Sequence, residues 1–380
     1  MDIGRDPDTG KRKQLMKSGF KTERKAREAL NEMLVKLQHN EYTAPTKETV
    51  AEFARRWLPS VKARIRPATY AQYETLAEKH IIPALGGTKL QNLTTAQLNA
   101  FYADLLDHGR RNLRRARSAA PDEIPINRGL SARTVGHVHG VIRAALNDAV
   151  RWQDLGRNPA LQASPPKKQR AEMRTWTAEQ ARMFLDSVRS DRLYAAYALA
   201  LTTGLRRGEL LGLAWRDVDL EVGWLNVRQT VISVNFKVQL STPKTASGRR
   251  SVGLDSGTVE LLREHRLRQL KERHDLGLAA QQPDDLVFAT VEGAPLHPGL
   301  FTDTFDRRVK AAGVPRIRLH DLRHTAATLL LSAGVHPKVV QERLGHSSVS
   351  ITLDLYSHSI PALQLEAASK LGAMLLQPSA

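Results

Sequence analysis

Apolar residues recur at intervals of three and four along most of the chain, the spacing that lines one face of an α-helix. Val50, Phe53, Ala54, Trp57 and Leu58 form one stripe; Val135, Val138, Val141, Ile142, Ala145, Leu146 and Ala149 form a longer one. A third, Ala26, Ala29, Leu30, Met33, Leu34 and Leu37, follows Thr22, whose hydroxyl suits a helix start. Ahead of it, residues 4–13 hold Asp-Pro and Thr-Gly steps and read as a tight hairpin turn. One turn and one helix bury too little to make a good core alone, so this front segment is expected to be incomplete at its start.

Proline-bearing joints divide the pattern into three segments. Residues 1–44 are the front segment. Residues 46–163 are helical, broken at Pro83 and Gly86-Gly87 and ended by Asn158-Pro159. Within them, 110–117 carry five arginines in eight residues and read as an exposed basic loop, either touching phosphate or simply solvated. Residues 164–170 form a linker, stiffened by Pro165-Pro166 and charged by Lys167-Lys168. The third segment, 171–380, opens on a capping box at Thr177 and Gln180. Its helical text is interrupted once by strand-like runs, 224–231 and 250–254, around a turn holding Pro243-Lys244-Thr245. Beyond Tyr356, Leu363, Leu365, Ala368, Leu371, Met374, Leu375 and Leu376 suggest a tail helix with no obvious partner in its own chain. The expected fold is mainly α, with an α+β third domain containing a small antiparallel sheet.

Composition narrows the function. With 41% hydrophobic and 25% charged residues over 380 positions, the chain has the balance of a globular protein of two or three domains. No apolar run approaches the roughly 18 residues of a spanning helix, and the charged first ten residues make no signal peptide. A cytoplasmic location, without a membrane partner, is therefore expected. The net charge of +18 points to a polyanion. Nucleic acid is preferred over anionic lipid, because no basic amphipathic helix adjoins an apolar anchor. The absence of cysteine excludes disulfides, cysteine-ligated zinc and thiol nucleophiles.

The third segment also holds a set of chemically suggestive residues. In Thr203-Gly204-Leu205-Arg206-Arg207-Gly208-Glu209, Gly204 lets the backbone turn tightly into a helix whose first turn would hold Arg206. Such an arginine could fork onto a phosphate or simply pair with Glu209 three residues on. His320 and Arg323 share a helical face, with His324 near it. The two histidines lack a third ligand of obvious spacing, so no metal is expected, and His324 reads as a satisfied, partly buried histidine. Leu344-Gly345-His346 follows, and ten residues later stands Tyr356, which alone would read as core packing.

Taken together, these motifs resemble the tyrosine recombinases of the phage integrase, lambda type. The resemblance rests on 203–211 with Trp215-Arg216-Asp217, Pro243-Lys244-Thr245, His320 to Thr325, Leu344-Gly345-His346 and Tyr356. It spans the third segment at motif level and extends more loosely to a helical core-binding domain and an arm-type DNA-binding module. Arm-type modules usually have a strand before the Gly-Arg-Asp turn, whereas this chain starts almost inside it. The resemblance implies Tyr356 as nucleophile, Arg206 and Arg323 on the non-bridging phosphate oxygens, and Lys244 as acid for the leaving oxygen. His320 would serve as acid/base and His346 as a hydrogen-bond donor. The implied product is a 3′-phosphotyrosyl enzyme, formed with no cofactor, metal or ATP. Implied partners are double-stranded DNA attachment sites and further copies of the chain in a tetramer, with a host DNA-bending protein and an excision factor as further candidates. A type IB topoisomerase, a chromosome-dimer-resolving recombinase and a non-catalytic DNA-binding protein are the alternatives. The front segment argues against the second, and the full set of site residues against the third.

Overall fold

The computed structural model describes residues 2–5, 12–14, 18–38, 43–109, 129–167, 173–243, 248–356, 368–369 and 371–375. The chain divides into two compact units, Met1–Arg170 and Ala171–Ala380. The basic loop read at 110–117 lies outside the described residues.

The first unit opens on an antiparallel pair, β1 (Asp2–Arg5) with β2 (Arg12–Gln14). Gly4 and Arg5, read as turn, are therefore strand residues; the turn itself lies outside the described residues. Helix α1 (Glu23–Gln38) follows, and the Lys25 amide donates to Thr22 Oγ1 as the sequence suggests. Its stripe is only partly covered, with Leu30 and Leu34 exposed.

The helical core comprises α2 (Val50–Val61), α3 (Pro67–Leu76), α4 (Ile82–Leu85), α5 (Thr95–His108) and α6 (Ala132–Arg151). Reciprocal caps at Thr49/Glu52 and Thr94/Gln97 start α2 and α5, each typically worth about 1 kcal/mol. The predicted stripes of α2 and α6 interlock around Trp57, whose indole N–H donates to buried Asp148 at 2.8 Å. Pro83 does not break the helix. A π turn over Ala77–Ile81 carries α3 into α4, and its wider i→i+5 geometry makes room for the ring just ahead. The helix ends at Gly86 instead.

In the second unit, α7 (Ala178–Ser187) begins at the predicted Thr177/Gln180 box, followed by α8 (Tyr194–Thr203) and α9 (Arg207–Leu211). Strands β3 (Val218–Asp219), β4 (Trp224–Val227) and β7 (Arg250–Gly253) form an antiparallel sheet in the order β3-β4-β7. Between β4 and β7 a separate hairpin is inserted, β5 (Thr230–Val234) with β6 (Lys237–Ser241). The run read as one strand over 224–231 is thus the end of one sheet and the start of another. The hairpin turns at Asn235 and Phe236, both at positive φ, without the glycine that would announce it. Helices α10 (Ser256–Asp275), α11 (Pro298–Ala312), α12 (Asp321–Ser332), α13 (Pro337–Leu344) and α14 (Val349–Tyr356) complete the unit. Trp176, Phe184, Tyr197, Phe301 and Phe305 pack edge-on and offset at its centre, fixing α7, α8 and α11 behind the site.

Candidate active site

Gly204 ends α8 at φ +66, a left-handed conformation that suits glycine, and a Cβ there would overlap Leu344 Cδ2. The chain then turns through Leu205 into α9. Arg206 is the N-cap residue of that helix, one position before the first turn where the sequence put it. Its backbone N–H donates to Glu209 Oε2 at 3.0 Å. Its guanidinium donates to Glu209 Oε1 at 2.7 Å and to the Gly345 carbonyl at 2.9 Å. Its side chain nevertheless keeps 39% exposure, which leaves part of the fork open to an incoming anion.

Arg323, in the first turn of α12, lies beneath at 2% exposure. It donates to the Gly204 carbonyl at 2.8 Å and the Leu344 carbonyl at 2.6 Å, tying the end of α8 to the end of α13. Burial, with the charges of Arg206 and Arg250, pushes its pKa down to about 9, so it is still a cation at neutral pH.

Glu209 is the counter-ion of this cluster. Burial alone would raise its pKa; the hydrogen bond and charge of Arg250, with those of Arg206, outweigh that, and the carboxyl lies below the ordinary glutamate value. Arg250, on β7, donates to Glu209 Oε2 at 2.9 Å and to the Arg343 carbonyl at 2.6 Å. Sequence reading paired Glu209 with Arg206 but missed Arg250, forty-one residues from Glu209, because only the fold brings the strand to the helix.

His346 is buried at 6%, and its Nδ1 lies 2.9 Å from Thr352 Oγ1. Burial, then the charges of Arg323 and Arg206, push its pKa down to about 3. Thr352, also missed in the sequence, can donate its hydroxyl to Nδ1, leaving Nε2–H as a donor. His320 precedes α12 with one side exposed; burial of its inner side, then His324 and Arg323, lower it to about 4. His324 meets it edge-on, ring centres 5.0 Å apart. The expectation of a satisfied His324 is only half met: it is partly buried, but its buried Nδ1 has no hydrogen-bond partner. Among the described residues, no group of three His, Cys, Asp or Glu side chains could hold a metal ion.

Arg206, Arg323, His320 and His346 therefore meet around the junction of α8 with α9, in surroundings that keep both histidines neutral and leave Arg323 charged at pH 7. Lys244 lies outside the described residues, in the span 244–247 between β6 and β7. Tyr356 ends α14, which packs on α12 and α13; its side chain lies outside the described residues. An arrangement of cationic forks and neutral imidazole donors, with Glu209 as buried counter-ion, suits the stabilisation of charge developing on a phosphoryl group.

Three family profiles match in chain order: an arm DNA-binding domain at 1–37, the phage integrase N-terminal SAM-like domain at 49–106, and the phage integrase family at 174–362. Among curated relatives, a tyrosine recombinase XerC-like protein of Caldanaerobacter subterraneus is 29% identical over 347 residues, covering 86% of this chain and 84% of the relative. The ICEBs1 integrase of Bacillus subtilis is 26% identical over 321 residues, covering 84% of this chain and 81% of the relative. Among solved structures, the fold is similar to the Tn1549 transposon integrase bound to transposon right end DNA, at TM-score 0.65 and 22% identity. That match covers 87% of this chain and 100% of the other. A lambda integrase dimer bound to a core site is similar at TM-score 0.56 and 20% identity, covering 92% of this chain and 90% of that one. The chain belongs to the phage integrase family of tyrosine recombinases and is a site-specific DNA recombinase.

Proposed function

We propose that this recombinase integrates and excises a phage or other mobile element by cutting and rejoining DNA at two attachment sites, with Tyr356 as nucleophile. The observation that carries the reading is the meeting of Arg206, Arg323, His320 and His346 beside the helical cluster that ends in Tyr356. In this scheme Tyr356 Oη attacks the phosphorus and its proton passes to neutral His320. The P–O bond to the 5′ oxygen breaks, and that oxygen leaves with a proton from Lys244. Charge gathering on the non-bridging oxygens is met by the open fork of Arg206, by Arg323 from beneath, and by Nε2–H of His346. The 3′-phosphotyrosyl bond keeps the energy of the broken linkage, so a partner strand's 5′ hydroxyl reseals it without ATP.

The proposed domains are an arm-type module at 1–44, a core-binding domain at 46–163, a linker at 164–170 and a catalytic domain at 171–380. The profile matches at 1–37, 49–106 and 174–362 support this division. The front match also favours an integrase over a chromosome-dimer-resolving enzyme. Four copies would work together on paired sites in the cytoplasm, with a host DNA-bending protein and an excision factor as further partners. A structurally similar lambda integrase, at TM-score 0.57, is a tetramer bound to a Holliday junction, which supports the assembly. So does the tail, where Leu371, Met374 and Leu375 are exposed and available to a neighbouring copy.

Lys244 offers the test. Sulfur in place of the leaving 5′ oxygen departs as a thiolate and needs no proton. Lys244→Ala should be slow on ordinary DNA and largely restored on the sulfur-substituted strand. Equal slowness on both would remove Lys244 from the role of acid.

A further inference from the structure

On the sheet β3-β4-β7, a shallow concavity of about 500 Å³ is lined by Asn226, Val227, Arg228, Arg249, Arg250 and Ser251. Its lining contains three arginines and no carboxylate. The details of bonding matter more than the count. Arg250 is committed inward to Glu209 and the Arg343 carbonyl. Arg228 is steered from below: its Nε lies 3.3 Å from Asp217 Oδ1, a side chain only 1% exposed, while Arg228 itself is 64% exposed. Among the described residues no ion pair holds the terminal nitrogens of the exposed Arg228 side chain. Arg249 is exposed, and no ion pair holds it among the described residues.

Asn226 and Ser251 face each other across the β4–β7 ladder. Ser251 Oγ donates to Asn226 Oδ1 at 2.6 Å. With Oδ1 engaged by Ser251, the Asn226 amide has its NH₂ left to offer a ligand in the concavity that it lines. Apart from the Ser251 oxygen, whose proton is given to Asn226, the side-chain groups left unspent there are donors, and two are cationic forks. Such a surface recognises a tetrahedral oxyanion, because guanidinium and amide N–H groups can bind several of its oxygens at once. Asp217 acts here as a positioning residue: burial holds its pKa above the ordinary aspartate value although the adjacent Arg228 and Arg216 oppose the rise. Its 3.3 Å contact with Nε sets the direction of Arg228.

We propose that Asn226, Arg228 and Arg249 form a second phosphate seat for the DNA backbone, separate from the scissile phosphate. The proposal rests on the recombinase reading above and adds a contact to it. The seat lies at the start of β7, and Arg250 next to Arg249 enters the Glu209 cluster, so a backbone phosphate held there would fix the duplex relative to Arg206. Phosphate contacts of this kind set register and affinity and carry no base sequence.

The test uses the full chain and a duplex carrying its crossover site. Arg228→Gln would strand the buried Asp217 and risk the fold, so the informative variants are Arg249→Gln and Asn226→Asp. The second keeps the acceptor for Ser251 and replaces the donor with a negative charge. Both should bind roughly tenfold more weakly at low salt. For Arg249→Gln, the plot of log affinity against log salt should be shallower by about one phosphate's worth, a slope change near 0.9. Arg249→Lys should recover most of that slope. Duplexes neutralised at one phosphate at a time by methylphosphonate should reveal one position that weakens the native chain but not Arg249→Gln, a non-additivity that a merely structural role would not produce. Unchanged slope and additive losses in well-folded variants would overturn the seat while leaving the recombinase reading intact. Altered self-association with unchanged DNA binding would also overturn it, and would assign the surface to an acidic segment of another copy. Failure of the native chain to bind the duplex in a salt-dependent way would instead count against the recombinase reading itself.

Discussion

Arg206 and Arg323 are both arginines aimed at one site, yet their surroundings demand different consequences when each is removed. Arg206 is partly exposed and replaceable by water, whereas Arg323 is buried and holds the carbonyls of Gly204 and Leu344. Arg206→Ala should slow strand cleavage by about 3–4 kcal/mol of barrier with little loss of stability. Arg323→Ala should slow cleavage comparably and also destabilise the fold, since stranding a buried polar partner costs about 1–3 kcal/mol each. Single-turnover cleavage and urea unfolding on the same two proteins separate these outcomes; equal unfolding midpoints would mean that Arg323 is not the strut described. Arg206, His320, Arg323 and His346 stood out in the sequence as a set only through the resemblance to the tyrosine recombinases, since each alone reads as an ordinary surface or core residue. Arg250 and Thr352 did not stand out, since their relevance comes from a strand packing on a helix and a hydroxyl reaching back to His346.

At the scale of elements, α9 is placed by close approach. Gly208 and Gly212 let the start of β5 lie directly on the helix: a Cβ on Gly208 would overlap Thr230 Oγ1 and stand 2.7 Å from the Val231 carbonyl. The carbonyl belongs to a strand and cannot swing aside. Gly208→Ala should therefore cost about 1–3 kcal/mol of stability, and by tilting α9 should lower the cleavage rate more than it lowers DNA affinity. A variant that unfolds like the native chain and cleaves at its rate would show that the contact is slack. The sequence announced α7 through its capping box and α2 and α6 through their stripes, because local chemistry and periodicity decide those helices. It hid the β5–β6 hairpin, whose turn uses Asn235 and Phe236 in left-handed conformations. It also suggested a break at Pro83, where a π turn absorbs the proline.

The whole molecule carries several histidines that the fold keeps neutral. His265 is 4% exposed; Arg268 donates to its Nδ1 at 3.1 Å and its Nε2–H donates to the Val287 carbonyl at 2.7 Å. The bond from Arg268 requires an unprotonated Nδ1, and burial pushes the pKa down to about 4 although the Val287 bond opposes the fall. His346 and His139 are lowered in the same direction, by burial first. A histidine with a depressed folded pKa binds its proton more readily in the unfolded chain. Its stabilising effect is complete above the unfolded value, near 6.5, and is lost as pH falls towards the folded value. Unfolding free energy should thus decline between about pH 6.5 and pH 4.5, with His265 alone worth on the order of 3 kcal/mol over its full range. Urea titrations across that interval check this; a flat profile would contradict the buried neutral imidazoles. Mainly helical architecture and a polyanion partner were legible at this scale from periodicity and the charge of +18.

The central claim is that the chain cuts DNA by becoming covalently attached to it through Tyr356, and one gel tests it. The native chain and Tyr356→Phe are each incubated with a nicked duplex carrying the crossover site, then resolved with and without denaturant. Removing only the hydroxyl keeps an aromatic ring of the same size, so both proteins should retard the duplex equally without denaturant. With denaturant, only the native chain should leave a protein–DNA adduct joined at the 3′ phosphate. An adduct at native yield from Tyr356→Phe would contradict the assignment of the nucleophile and the mechanism built on it.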